Sequence, residues 1–301
     1  MINSIAASTL KQYESALKAW WNYVHINGLD LFNSKSPDIV SFLNKKFRSG
    51  IGHGTINTFR SAISLISIHD IHGDGLISRF LKGVFREKPS KPRYSTTWDV
   101  TPVLNYLEKL HPLSNLKLKE VSEKVACLLA LATAQRLQTL SVINIDNITA
   151  DSNNLSIKIT EHIKTSKPGS YQPDLILPFF KDRPGLCVAS AVLEYMRITK
   201  ELRDTETKTL FIISVKPYSQ ASSQTIGHWV KSVLSKAGVN TEQFTAYSTR
   251  HAAVSIAHTR GIDIATIRRS AGWAPGSKTF FKFYNRPIQS PNDQFARAVF
   301  Q

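Results

Sequence analysis

Thr245-Ala246-Tyr247-Ser248-Thr249-Arg250-His251, Ala271-Gly272-Trp273 and Phe280-Phe281-Lys282-Phe283-Tyr284 follow one another near the C-terminus. Apolar side chains at helical spacing predict helices over residues 249–260, 263–271 and 277–284, with the polar and aromatic groups of these three segments at their ends. Further back, helical patterns at residues 99–110, 120–138, 187–203 and 223–237 surround two β-like segments, Leu155–Thr160 and Asp174–Leu177, that flank a polar turn. The expected fold from residue 97 onward is mainly α with a small antiparallel β-sheet, an α+β domain.

The N-terminal part reads differently. Leu10, Tyr13, Leu17, Trp20, Trp21 and Val24 recur at helical spacing over residues 8–24. Ser36-Pro37-Asp38 opens a second helix, with Ser36 suited to the N-cap and Pro37 to the first helical position. Ile56, Phe59, Ile63 and Ile66 stripe a third helix beginning near Thr55. Ile77, Phe80, Leu81 and Val84 suggest a shorter fourth. Residues 1–86 thus form an all-α module whose aromatic positions are assigned to its core. Glu87-Lys88-Pro89-Ser90-Lys91-Pro92-Arg93 cannot continue a helix, so residues 87–96 are expected to link the module to a second domain, 97–301. The linker's cations suit a strap along phosphates and equally an ordinary solvated connection. Residues 285–301 carry Phe295, Ala296, Ala298, Val299 and Phe300, a short apolar helix able to pack at home or dock on a neighbour.

Charge narrows the partner. Lys and Arg number 38 against 22 Asp and Glu, a formal net charge of +16. Residues 1–96 hold 13 cations against 6 anions and the remainder holds 25 against 16, so both parts should meet the same polyanion. Nucleic acid and an anionic membrane surface fit this balance, against the plainer reading of a merely soluble basic protein. No stretch approaches the roughly 18 apolar residues of a membrane span, and Met1-Ile2-Asn3-Ser4-Ile5 lacks the regions of a secretory signal. An intracellular location is expected. Cys127 and Cys187 are far apart within apolar patterns and read as buried free thiols.

Breaking a phosphodiester without a metal needs cations on the non-bridging oxygens, a nucleophile in line with the leaving oxygen, and a proton donor for that oxygen. Arginine meets the first need best, because its planar fork stays protonated and bonds two phosphate oxygens at once. Ala132-Thr133-Ala134-Gln135-Arg136-Leu137-Gln138-Thr139-Leu140 supplies one such arginine at the end of an apolar helix and Arg250 another. Taken in order, with 23 residues from Arg250 to Trp273 and 11 from Trp273 to Tyr284, these segments resemble the active-site motifs of tyrosine recombinases. The resemblance is to the eukaryotic mobile-element branch, the Crypton and DIRS-type recombinases. It extends to residues 8–66, which are similar to that branch's helical, SAM-like core-binding domain.

The resemblance implies an enzyme that cuts and rejoins double-stranded DNA through a 3′-phosphotyrosine. Arg136 and Arg250 would bind the scissile phosphate and Tyr284 would supply the attacking oxygen. Trp273 stands where relatives have histidine or tryptophan; its indole N–H donates but carries no proton away, which implies positioning and packing. The proton donor is expected in Glu161-His162-Ile163-Lys164-Thr165-Ser166-Lys167-Pro168-Gly169, with Lys164 first and Lys167 in reserve. The resemblance further implies a homo-oligomer, four protomers on two DNA sites, working in the nucleus if the source is eukaryotic. No metal, ATP or nicotinamide cofactor is required, since the phosphotyrosine ester retains the energy of the broken bond.

Two positions depart from the pattern. Tyr247 replaces a histidine that many relatives carry three residues before the second arginine; a phenol is a poor base near neutrality and is expected to donate a hydrogen bond to the phosphate. Thr139 replaces an acidic residue that often braces that segment. His251 and His228 could approach the site, and His251 is expected to fix the Arg250 segment instead of acting directly. A type IB topoisomerase-like nicking enzyme and a catalytically silent DNA-binding protein remain the alternatives. The N-terminal module disfavours the first, and the retention of Arg136, Lys164, Arg250 and Tyr284 the second.

Overall fold

The computed structural model describes residues 5–89, 93–166, 168–169, 172–274 and 276–288. The chain divides into two compact units, Met1–Arg93 and Tyr94–Gln301. No helix of the described residues is long and apolar enough to cross a membrane.

In the first unit four helices, α1 (Ala7–Ile26), α2 (Ser36–Arg48), α3 (His53–Ile66) and α4 (Gly75–Glu87), enclose an apolar core. Trp20, Ile39, Phe42, Leu43, Ile56 and Ile77 are fully buried. The Trp20 and Phe59 rings meet Phe42 edge-on at centroid distances of 5.1 and 5.6 Å, a favourable aromatic geometry. Trp20 also donates its indole N–H to Leu31 O at 3.2 Å, so the buried ring leaves no polar atom unpaired. Trp21, which shares the same periodic stripe, instead stands half exposed and stacks on His25 at 5.3 Å. The two neighbours lie about 100° apart around the helix, and only one can face the core. Ser36 is not the N-cap either. Lys35 holds that position, and the Ser36 hydroxyl donates to Asp74 Oδ2 at 2.5 Å. Asp74 in turn caps α4 by accepting from Ile77 N at 2.8 Å, so one carboxylate joins the starts of two helices. That fourth helix is shorter than α1 and α3 and as long as α2.

The second unit is built around α6 (Leu118–Thr133), whose residues 121–130 are all buried. Helices α5 (Thr101–Lys109), α8 (Val188–Thr199), α9 (Ser223–Lys236) and α10 (Ser248–Thr259) surround its core. A Lys236–Glu123 ion pair at 2.6 Å adds a polar tie between α9 and α6. The sheet is antiparallel in the order β1 (Ile148–Ala150), β2 (Asn154–Lys158), β3 (Asp174–Pro178). Leu155 opposes Leu177 and Ile157 opposes Leu175, all four buried, while Ser156 and Ile176 alternate outward. The mainly α fold with a small antiparallel sheet is therefore the one expected, with β1 added. Strand β1 is three residues long and lacks an alternating run, so pairing with β2 defines it where periodicity does not.

Tyr94 already belongs to this unit. Its ring is buried and its hydroxyl bonds Thr245 Oγ1 at 2.8 Å, while Trp98 donates to Ser248 Oγ at 2.8 Å. These two aromatics brace the start of α10, which carries Arg250. Cys127 and Cys187 are both free and buried, and burial pushes the Cys127 thiol up to about 12.

Candidate active site

A helix expected over residues 120–138 is in fact broken. Thr133 ends α6, and Ala134 takes the left-handed conformation at φ 49°. The break is supported by Thr133, whose hydroxyl donates to Leu129 O at 2.7 Å and accepts from Gln135 N at 3.2 Å. Arg136 then caps the five-residue α7 (Leu137–Ser141). A non-glycine residue in this conformation costs about 1–2 kcal/mol, and here it redirects the chain so that Gln135 and Arg136 face the last elements of the unit. Gln135 donates to Ser270 O at 2.6 Å, at the end of α11 (Ile264–Ser270). Gly272 follows at φ +65°, and a Cβ there would meet the Gln135 amide at 3.5 Å. That contact is an ordinary one, and it is the positive φ that favours glycine here.

Arg250 lies on the first turn of α10, 1% exposed. Its Nη2 donates to Ala271 O at 2.6 Å. The guanidinium carbon stands 4.6 Å from the Trp273 ring centroid and 5.3 Å from that of Tyr284. Burial, and next the nearby Arg136 charge, pull this guanidinium well below its usual value, to about 10. Arg250 Nε, Arg250 Nη1 and Trp273 Nε1 are buried N–H groups with no hydrogen-bond partner among the described residues. Three such donors in one place are costly unless an acceptor arrives.

Tyr284 ends a π-helical turn, Phe280–Tyr284. That turn replaces most of the helix expected over 277–284; it keeps Phe280 and Tyr284 buried while Phe281, Lys282 and Phe283 face outward. Ser255 Oγ donates to Tyr284 O at 3.0 Å and accepts from Arg286 N at 3.2 Å, which anchors the chain just past the phenol. Thr97 N donates to Pro287 O at 2.9 Å, so the described start of the C-terminal tail lies on its own unit. Residues 289–301, the rest of the expected docking tail, lie outside the described residues.

The Tyr284 ring packs at 4.8 Å from Trp273 and stacks on His251 at 4.4 Å. Its hydroxyl hydrogen-bonds the Tyr247 hydroxyl. Burial first, then that hydrogen bond, push the Tyr284 phenol up to about 12, against the pull of Arg250. Of the residues singled out in the sequence, Tyr247, Arg250 and Trp273 therefore each meet Tyr284, with the charge of Arg136 beside them. Lys164 does not join that contact. It stands exposed in the turn between β2 and β3, with no hydrogen bond or ion pair among the described residues. The turn itself is braced: Ile163 is buried, and Ser166 Oγ accepts from Ile163 N at 2.8 Å and Gln172 Nε2 at 2.6 Å. The Pro173 ring before β3 lies 3.8 Å from the Cβ position at Gly272, so the base of this hairpin borders the site. Lys167 lies outside the described residues. Gln135, Ser255 and the face of His251 are site residues whose part the sequence does not announce, although His251 next to Arg250 is a signal of proximity.

The phage integrase family model matches residues 103–289, the segment that carries all of these groups. The chain belongs to the phage integrase family, the tyrosine recombinases. No curated protein matches it in sequence. Its fold is similar to that of a lambda integrase (75–356) dimer bound to a COC′ core site, with a TM-score of 0.60 at 17% identity over 96% of this chain and 92% of that one. The Tn1549 transposon integrase in complex with circular intermediate DNA gives 0.57 at 11% identity, covering 95% and 99%. XerH recombinase on palindromic difH substrate gives 0.59 at 15%, covering 89% and 72%. Among the described residues no three His, Cys, Asp or Glu side chains gather as a metal site would.

Proposed function

We propose that the protein is a site-specific DNA recombinase that cleaves and rejoins double-stranded DNA through a 3′-phosphotyrosine at Tyr284. The observation that carries the reading is the set of buried, unpartnered donors on Arg250 and Trp273 directly beside the Tyr284 phenol. A phosphodiester seated there would accept hydrogen bonds from Arg250 Nε and Nη1 and from Trp273 Nε1, with Arg136 completing the positive field. Its phosphorus would then lie close to the Tyr284 oxygen. Preorganised donors of this kind favour the charge that develops during displacement. Lys164, on the hairpin that borders the site, would swing in with DNA and protonate the leaving 5′-oxygen; Lys167 is the reserve. A 5′-hydroxyl from another strand then reverses the attack, and no cofactor is needed.

The first unit would serve as the core-binding domain and the linker would cross the phosphate backbone. Four protomers on two DNA sites, assembled with help from the tail 285–301, form the active complex in this proposal. The finer placement among Crypton and DIRS-type mobile-element enzymes, acting in a nucleus, rests on the spelling of the motifs around Tyr247, Trp273 and Tyr284. The test is a pool of end-labelled duplexes of randomised sequence carrying a nick, incubated with the full chain and resolved on denaturing gels. Covalent adducts that disappear in Tyr284→Phe support the proposal, and joined products from two duplexes favour a recombinase over a nicking enzyme. Adducts that persist in Tyr284→Phe, or no adduct from the unaltered protein, refute it.

A further inference from the structure

Two of the neighbours that hold Tyr284 cannot take its proton. The Trp273 indole and the Arg250 guanidinium are donors only. His251 lies face to face with the phenol ring, its plane tilted by 24°. The fourth neighbour differs. The Tyr247 hydroxyl bonds the Tyr284 hydroxyl, and either oxygen can donate. The pair is also unequal in its access to water: Tyr284 is 5% exposed and Tyr247 is 40% exposed. Of the two residues joined in this way, Tyr284 is buried and Tyr247 reaches solvent.

We propose that Tyr247 is the proton exit of the nucleophile: as the Tyr284 oxygen closes on phosphorus, its proton passes to the Tyr247 oxygen, and the proton of Tyr247 passes to solvent water. The inference rests on the reading of Tyr284 as nucleophile. It assigns to Tyr247 the work of moving a proton, beyond a hydrogen bond to the phosphate. The step balances. The Tyr284 Oη–P bond forms and the P–O5′ bond breaks; one proton leaves through Tyr247 and one is delivered to the 5′-oxygen from the lysine-bearing turn, which solvent then reprotonates. One phosphodiester is exchanged for another, with no net gain or loss of protons. The groups facing Tyr247 are Tyr284 from the π-helical turn and Arg250 and His251 from its own helix, with Arg136 adding to the field around the pair. Because Tyr284 is held near 12, its phenolate is scarce near neutrality and its proton must leave as the bond forms.

The experiment measures single-turnover adduct formation by the full chain on the nicked duplex pool, from about pH 6 to about pH 9. The unaltered enzyme speeds up as pH rises, because hydroxide replaces water as the final acceptor. Tyr247→Phe keeps the ring contacts and is slower by about 10²-fold or more. Placing 2,3,5-trifluorotyrosine at position 284, which sheds its proton more readily, restores most of that loss in the Tyr247→Phe background. Tyr247→His recovers activity and levels off above about pH 6.5, the ordinary imidazole value. Cleavage by Tyr247→Phe within about threefold of the original overturns the proposal, because proton transfer of this kind contributes far more. So does a slow Tyr247→Phe that the fluorinated phenol fails to rescue. No adduct from the unaltered chain, or an adduct surviving Tyr284→Phe, removes the nucleophile and the relay together; a normal adduct with an indifferent Tyr247→Phe removes the relay alone.

Discussion

Replacing Arg250 by methionine should leave the DNA-free protein as stable as before or more so, while abolishing cleavage. The guanidinium is 1% exposed and, with burial as the main cause, sits near 10. At pH 7 it is charged in both folded and unfolded chains, so the depression corresponds to a folding cost of about 3 kcal/mol. The sign follows from the proton being held less tightly in the folded state: the cost is whole at every pH below about 10 and fades above it, as the folded guanidinium gives up its proton while the unfolded one keeps it. Against it stands the 2.6 Å bond to Ala271 O, worth about 1.5–3 kcal/mol for a charged donor. Methionine fills a similar volume and keeps contact with the Trp273 and Tyr284 rings. The net expectation is a gain of roughly 0–2 kcal/mol, or up to about 8 °C in the melting temperature of a unit this size. The assay is thermal unfolding of the second unit at pH 7, run beside the adduct assay. Added inorganic phosphate should raise the melting temperature of the unaltered protein more than that of Arg250→Met, because only the former offers Nε and Nη1 to an anion. A fall of more than about 4 °C in Arg250→Met would refute the reasoning, since the guanidinium would then be stabilising the empty site.

Lys164→Ala should slow cleavage of an ordinary phosphodiester by about 10²-fold or more yet cleave normally when sulfur replaces the bridging 5′-oxygen, because a thiolate departs without a proton; equal defects on both substrates would remove Lys164 from the acid role. Gln135→Ala leaves the Ser270 carbonyl without its 2.6 Å donor and should cost about 1–3 kcal/mol in urea unfolding, with slower adduct formation as the Gly272 turn loosens. Unchanged stability would show that the tie is idle. Asp74 is held below the usual carboxylate range, chiefly by the Ser36 hydroxyl and then by Ile77 N–H. Its contribution to the first unit is therefore complete near neutrality and is lost as pH falls through that depressed value. Asp74→Ala should cost about 1 kcal/mol at pH 7, with the difference from the unaltered protein closing in acid as the carboxylate is protonated. A gap that stays constant into acid, followed by helical circular dichroism of the first unit, would count against the cap.

Periodicity alone marked most of the helical segments, two of the three strands, and an all-α part followed by an α+β part. Each of those features is written in the spacing of apolar residues along a single segment. The order of Arg136, Arg250, Trp273 and Tyr284 is likewise a property of the sequence, and it points to the family that the integrase match shows. Tertiary structure decided the rest, because a side-chain pattern names an apolar face without naming what the face meets. The break at Ala134 is invisible in a run of good helix formers and depends on Thr133 and on Gln135 reaching Ser270, 135 residues away. Trp20 and Trp21 are equal in sequence, and only packing against Phe42 buries one and leaves the other in water. The meeting of Tyr247 with Tyr284 and the stacking of His251 on the same phenol join residues more than thirty positions apart. Chemistry of this kind follows from distance in space, and the fold alone supplies that distance.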